Sequence, residues 1–184
     1  MDISNIKMIE NTLEKVYKTK SYPDDLDFVI SEDFLIDICH KIANEMKNDN
    51  YEIINCKDAP YMLQMRMSLS KEIPLISRGK KNDDKYFYEY GQINLTFSKL
   101  INNAMIHWQI FKRILFFSFS EKIYYPPHIM WCPIVSEILN ILNSFKIYLL
   151  YPPELLKRYK YNYKGRLYST NNPSLEILLF DEEV

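Results

Sequence analysis

PYMLQMRMSLS, residues 60–70, alternates apolar and polar side chains one by one. Leu63, Met65, Met67 and Leu69 fall on one side of an extended chain, and Gln64, Arg66, Ser68 and Ser70 on the other. That is the period of a half-buried strand. Upstream the period changes. Ser31 suits a helix N-cap, Glu32 and Asp33 suit a first turn, and Phe34, Leu35, Ile38, Ile42 and Met46 recur at helical spacing. A helix followed by a strand within forty residues predicts a mixed fold.

The rest of the chain extends the mixture. Ile6, Ile9, Leu13 and Val16 predict a first helix, stopped by Tyr22-Pro23-Asp24-Asp25. Short strands are expected at Tyr51–Cys56, Tyr86–Tyr90, Ile93–Phe97 and Leu115–Phe119, with Gly91 separating the second and third. Ser98–Ile110 reads as a helix with Leu100, Ile101, Met105 and Trp108 on its apolar side. Pro133 fits the first turn of a helix that runs to about Phe145 and buries Ile134, Val135, Ile138, Leu139, Ile141 and Leu142. Strands are expected again at Ile147–Leu150 and Leu175–Phe180. Composition shifts near Tyr125. The expected organisation is therefore α+β, with a larger N-terminal α/β region over 1–124 and a small C-terminal α+β module over 125–184.

Bulk properties narrow the function classes. A chain of 184 residues can bury enough apolar surface to fold without staples. The net charge of -1 argues against binding nucleic acid by charge alone. Cys39, Cys56 and Cys132 are odd in number and form no CxxC pair, so reduced thiols in an intracellular protein are expected. MDISNIKMIEN lacks the apolar core of a signal peptide, and no apolar run reaches the roughly 18 residues of a membrane span, so a soluble chain is expected. Three glycines against fifteen tyrosines leave few places for a phosphate-cradling loop. The accompanying wealth of Ile, Asn and Lys matches AT-rich codons.

Catalytic signatures are scarce. There is no GxxxxGK[ST], GxGxxG, GxSxG or HExxH. Cys39 and His40 are adjacent on a helix and diverge, which favours a packed thiol beside a surface imidazole over a shared metal. His128 and Cys132 form one pair where a zinc site usually needs two. No metal and no cofactor are expected. Asp83-Asp84-Lys85, with Asp24, would suit a metal-dependent nuclease, but Asp83–Lys85 also reads as an ordinary charged loop. Lys157, Arg158, Lys160, Lys164 and Arg166 interleave with Tyr159, Tyr161 and Tyr163. Such a stretch can grip single strands by charge and stacking, protect an edge strand, or face a protein partner.

The same stretch carries a family signal. Arg158-Tyr159, five residues, Gly165, seven residues and Pro173-Ser174 resemble the C-terminal signature of the fifth subunit of multisubunit DNA-dependent RNA polymerases, the H subunit in archaea. Pro153 is similar to the Pro of that family's Asp-Pro pair. Tyr125-Pro126-Pro127-His128 resembles its Val-Pro-x-His, and Glu137-Ile138-Leu139 its Glu-Leu-Leu helix, one residue out of step. LFFSFSEK, Leu115–Lys122, takes the place of the strand before the Pro-x-His, and Glu45-Met46 with Asn50-Tyr51 is similar to a helix end of the family's jaw domain. The likeness extends over about Leu115–Ser174. Glu154 follows Pro153 where the family has its acid before the Pro. Asn162 replaces a small residue, Asn172 an Arg, and Leu175 a Glu, as in a divergent member of the kind large DNA viruses carry.

The resemblance implies a non-catalytic polymerase subunit with a jaw-like N-terminal domain near downstream DNA and a C-terminal assembly domain docked on the largest subunit. Its implied partner-binding residues are His128, Arg158, Tyr159, Gly165, Pro173 and Ser174. Arg78, Lys80 and Lys81 would lie nearest DNA. Partners would be other polymerase subunits, with DNA met indirectly, no membrane and no homo-oligomer. The location would be cytoplasm or virion for a viral polymerase and nucleus for a cellular one. The competing readings are an unrelated small α+β domain with a Tyr-rich edge, a free-standing host-interaction protein, and a nuclease built on Asp24 and Asp83.

Overall fold

A computed structural model describes residues 3–17, 30–55, 62–68, 73–74, 88–114, 117–126, 132–164 and 169–180. The fold is α+β. Two helices open it, α1 (Ile3–Tyr17) and α2 (Glu32–Glu45), followed by strands β1 (Tyr51–Ile54), β2 (Met62–Ser68), β3 (Ile73–Pro74), β4 (Tyr88–Ser98), β5 (Asn103–Ile114) and β6 (Phe117–Ile123). Then come α3 (Cys132–Ser144), β7 (Tyr148–Leu150), α4 (Pro152–Leu155), the hairpin strands β8 (Asn162–Lys164) and β9 (Ser169–Asn171), and α5 (Leu175–Phe180).

The main sheet runs β1-β2-β4-β5-β6 with every neighbour antiparallel. β3 adds to β4, and β7 lies parallel to β5. The division expected near Tyr125 runs between elements that share this sheet and its cores.

Strand alternation places Leu63, Met65 and Met67 of β2 beside Ile93, Leu95 and Phe97 of β4 and Ala104, Ile106, Trp108 and Ile110 of β5. All are buried against Leu35, Ile38 and Ile42 of α2 and Ile138, Ile141 and Leu142 of α3. Ser31 takes the N-cap position of α2, but its hydroxyl makes no cap bond. Phe34, expected inside, is 38% exposed and sits edge-on to Phe145. Met105 points opposite to Ala104 and Ile106, into a second core. There it meets Ile9, Leu13 and Val16 of α1, Leu100 and Ile101 of the β4–β5 bend, and α5. Both cores thus unite segments from either side of Tyr125, and the second joins α1 to α5.

Three expectations are corrected. Ser98–Ile110 is not a helix: Ser98 ends β4, residues 99–102 form a bend, and β5 begins at Asn103. Leu100, Ile101, Met105 and Trp108 are spaced as a helical stripe, but Ala104, Ile106, Trp108 and Ile110 also alternate. Ten paired positions with β4 satisfy the backbone in the extended form. Leu175–Phe180 is a helix and not a strand. A six-residue apolar run has no decisive period, and the Ser174 hydroxyl caps it by accepting from Ile177 N at 3.4 Å. The two strands expected on either side of Gly91 are one strand, β4, with Gly91 paired to Ile110.

Candidate partner-binding site

The chain leaves β7 through Tyr151 into the single turn of α4, where Glu154 accepts from Tyr151 N at 3.1 Å. Two prolines at its start are compatible with a first turn, whose amides lack helical partners anyway. The next residues run antiparallel to the approach to α5. Leu175 N donates to Lys157 O at 2.9 Å, Arg158 bridges Ser174, and Tyr159 N donates to Pro173 O at 2.9 Å. The pairing continues through Asn172 N to Tyr161 O at 3.0 Å, and into β8 and β9. Asn172 has φ 55, a left-handed conformation that Asn tolerates better than most residues, and it turns the strand toward Pro173.

Four of the six residues expected at a partner contact therefore converge. Arg158 is exposed, and its Nη1 donates to Asn172 O at 3.2 Å. Tyr159 is half-buried, while Pro173 and Ser174 are buried within this chain. His128 and Gly165 lie outside the described residues, as do Arg78, Lys80, Lys81, Asp24 and Asp83–Lys85. Lys160, two positions after Arg158, is also exposed.

The tyrosines pack on one another. Tyr159 and Tyr161 stack with centroids 6.2 Å apart, Tyr161 meets Tyr17 of α1 at 5.9 Å, and Lys157 Nζ lies 5.1 Å over the Tyr159 ring. Glu10 accepts from Lys157 at 3.1 Å, and this bond, with the Tyr159 phenol, holds the ammonium above the usual lysine range. Rings engaged by their own chain are poor platforms for bases, so the segment presents cations and backbone more than open aromatic faces.

A second feature escaped the sequence reading. Glu176, 0% exposed, accepts from Lys122 Nζ at 2.7 Å, and the Tyr124 hydroxyl lies 2.7 Å and 2.8 Å from its two oxygens. Burial and the bond to Glu176 push the Tyr124 phenol above its ordinary range. The only signal was one acid inside the apolar run LEILLF, which implies a buried partner. Close by in sequence, a small apolar cleft of about 60 Å³ opens between the end of β6 and β7. It is lined by Ile106, Trp108, Val135 and Leu149, with Tyr125 and Tyr151 at its rim. Tyr125 is 58% exposed and Tyr151 46%.

The sheet face away from α2 and α3 is polar in part. Arg66 pairs with Glu52 at 2.6 Å and donates from Nε to Asn94 Oδ1 at 3.4 Å. His107, on the same face, is held neutral with a pKa of about 3, by burial and then by the charges of Lys122 and Arg66. Cys39 is buried and His40 exposed, with His40 Nδ1 2.7 Å from the Tyr51 hydroxyl. Among the described residues no group of three or more His, Cys, Asp or Glu side chains could hold a metal, and no helix is long and apolar enough to cross a membrane.

Compared with protein-family models, curated proteins and solved structures, the chain matches none of them.

Proposed function

We propose that this protein is a non-catalytic subunit of a multisubunit DNA-dependent RNA polymerase, docked through its C-terminal segment on the largest subunit. The proposal is carried by the pairing of Arg158-Tyr159 with Pro173-Ser174. These are the two halves of the motif that resembles the fifth-subunit signature, and they meet as antiparallel neighbours. The motif spacing thus corresponds to one hairpin closing on itself, a physical reason for that spacing to recur. The exposed apolar side chains lend further support. The four most exposed of these among the described residues, Tyr125, Tyr148, Tyr151 and Leu156, come from the stretch between the end of β6 and the hairpin, and Met8 and Phe34 on the first two helices are less exposed. Tyrosine-rich surface with an apolar cleft suits protein contact. In this reading residues 1–124 form the jaw-like part and residues 125–184 the assembly domain, and Arg78, Lys80 and Lys81 approach downstream DNA.

The test is affinity purification of the tagged protein from its native cells, with the bound proteins identified by mass spectrometry. Stoichiometric recovery of two very large polymerase chains is the expected result. Recovery alone, or with unrelated proteins in constant ratio, would overturn the proposal and favour a free-standing interaction protein that uses the same tyrosine surface.

A further inference from the structure

All six residues of α5 are buried. Five are apolar, and the hydrophobic effect has no direction. A short helix covered on every side therefore has no polar face to choose its rotation. Hydrogen bonds supply direction. The Tyr17 hydroxyl donates to Leu178 O at 2.7 Å, but a helix of this length offers free carbonyls at several rotations. Glu176 is different, because it is the one polar side chain of α5, and it faces fixed donors, Lys122 on β6 and Tyr124 just beyond it.

We propose that Glu176 is a positioning residue whose carboxylate pins the rotation of α5 to the end of β6, and with it the exposed edge from Lys157 to Tyr161. The link to that edge is direct: Leu175 N is bonded to Lys157 O, and Ser174 is bridged to Arg158. Buried ion pairs contribute little net stability against apolar replacements of similar size, and their best-attested use is to select one register among several. The pin lies beneath the surface assigned to the polymerase partner, but it follows from the isolated chain and holds whatever that partner is.

Amide hydrogen exchange on the isolated protein tests it. The triple variant Glu176→Leu, Lys122→Met and Tyr124→Phe, which strands no member of the cluster, is expected to keep the wild-type denaturation midpoint or raise it. Its Tyr159 and Leu175 amides should exchange about tenfold faster or more, while those of β2 and β4 stay unchanged. Unchanged protection at Tyr159 and Leu175 would overturn the proposal. So would equal acceleration at every amide or loss of the fold, because either would make Glu176 a general stabiliser. Glu176→Gln keeps the side-chain shape and removes the charge, and should give a smaller acceleration confined to the same two amides. A uniform effect or none in that variant counts against the pin independently. Failure of the polymerase assignment would appear elsewhere, as wild-type protein recovered without polymerase chains.

Discussion

Arg158 and Ser174 face each other across an antiparallel bridge, yet one is exposed and the other buried. The two sides of one bridge thus do different work. Ser174 shapes the interior and Arg158 presents charge outside. Arg158→Ala removes one exposed bond, to Asn172 O, and is expected to change the stability of the isolated chain by no more than about 0.5 kcal/mol. Under the proposed docking on the largest polymerase subunit, recovery of polymerase chains with that variant should fall several-fold. Chemical denaturation and quantitative pull-down on the same preparation check both halves.

Ser174→Ala should behave in the opposite way. It deletes the hydroxyl that accepts from Ile177 N at the start of α5, with an expected loss of about 1 kcal/mol. The denaturation midpoint is the measurement. A Gly replacement, which caps tolerably without a hydroxyl, should lose less.

The first two helices, β2 and α3 were legible because each shows one clear period over a long enough window. The Leu63–Met67 alternation and the Leu35–Ile42 stripe point into the same core. β5 was not legible, since four apolar residues at helical spacing overlapped four at strand spacing. Pairing with β4, a tertiary effect, decided between them. α5 failed for its shortness. At the candidate site, the spacing of Arg158, Tyr159, Pro173 and Ser174 was visible, but their burial was not. Glu176 could not be assigned a partner, because Lys122 and Tyr124 lie more than fifty positions away in the chain.

Thiol labelling should separate the described cysteines. Burial pushes the Cys39 thiol up to about 12, so almost no reactive thiolate exists at neutral pH, whereas Cys132 is exposed. In a chain carrying Cys56→Ser, native protein is expected to take up one equivalent of a maleimide reagent, at Cys132. A second equivalent should enter only in denaturant. Peptide mapping after labelling identifies the sites, and modification of native Cys39 would contradict its burial.

His107 should make stability fall in acid. Its folded pKa is about 3, against 6.5 in an unconstrained chain. Between those values the unfolded state binds a proton that the folded state refuses, so unfolding becomes easier as pH falls. The contribution is intact above about pH 6.5, erodes at up to about 1.4 kcal/mol per pH unit below it, and stops changing near pH 3. Carboxylates titrate in part of the same window, so the informative quantity is a difference. His107→Asn removes the titrating ring, and its denaturation midpoint should decline less steeply than wild type between pH 6.5 and 5.5, where few carboxylates have yet protonated. Parallel curves for the two proteins would mean that His107 accepts its proton in the folded state, and that burial, with the charges of Lys122 and Arg66, opposes the imidazolium less than the structure implies.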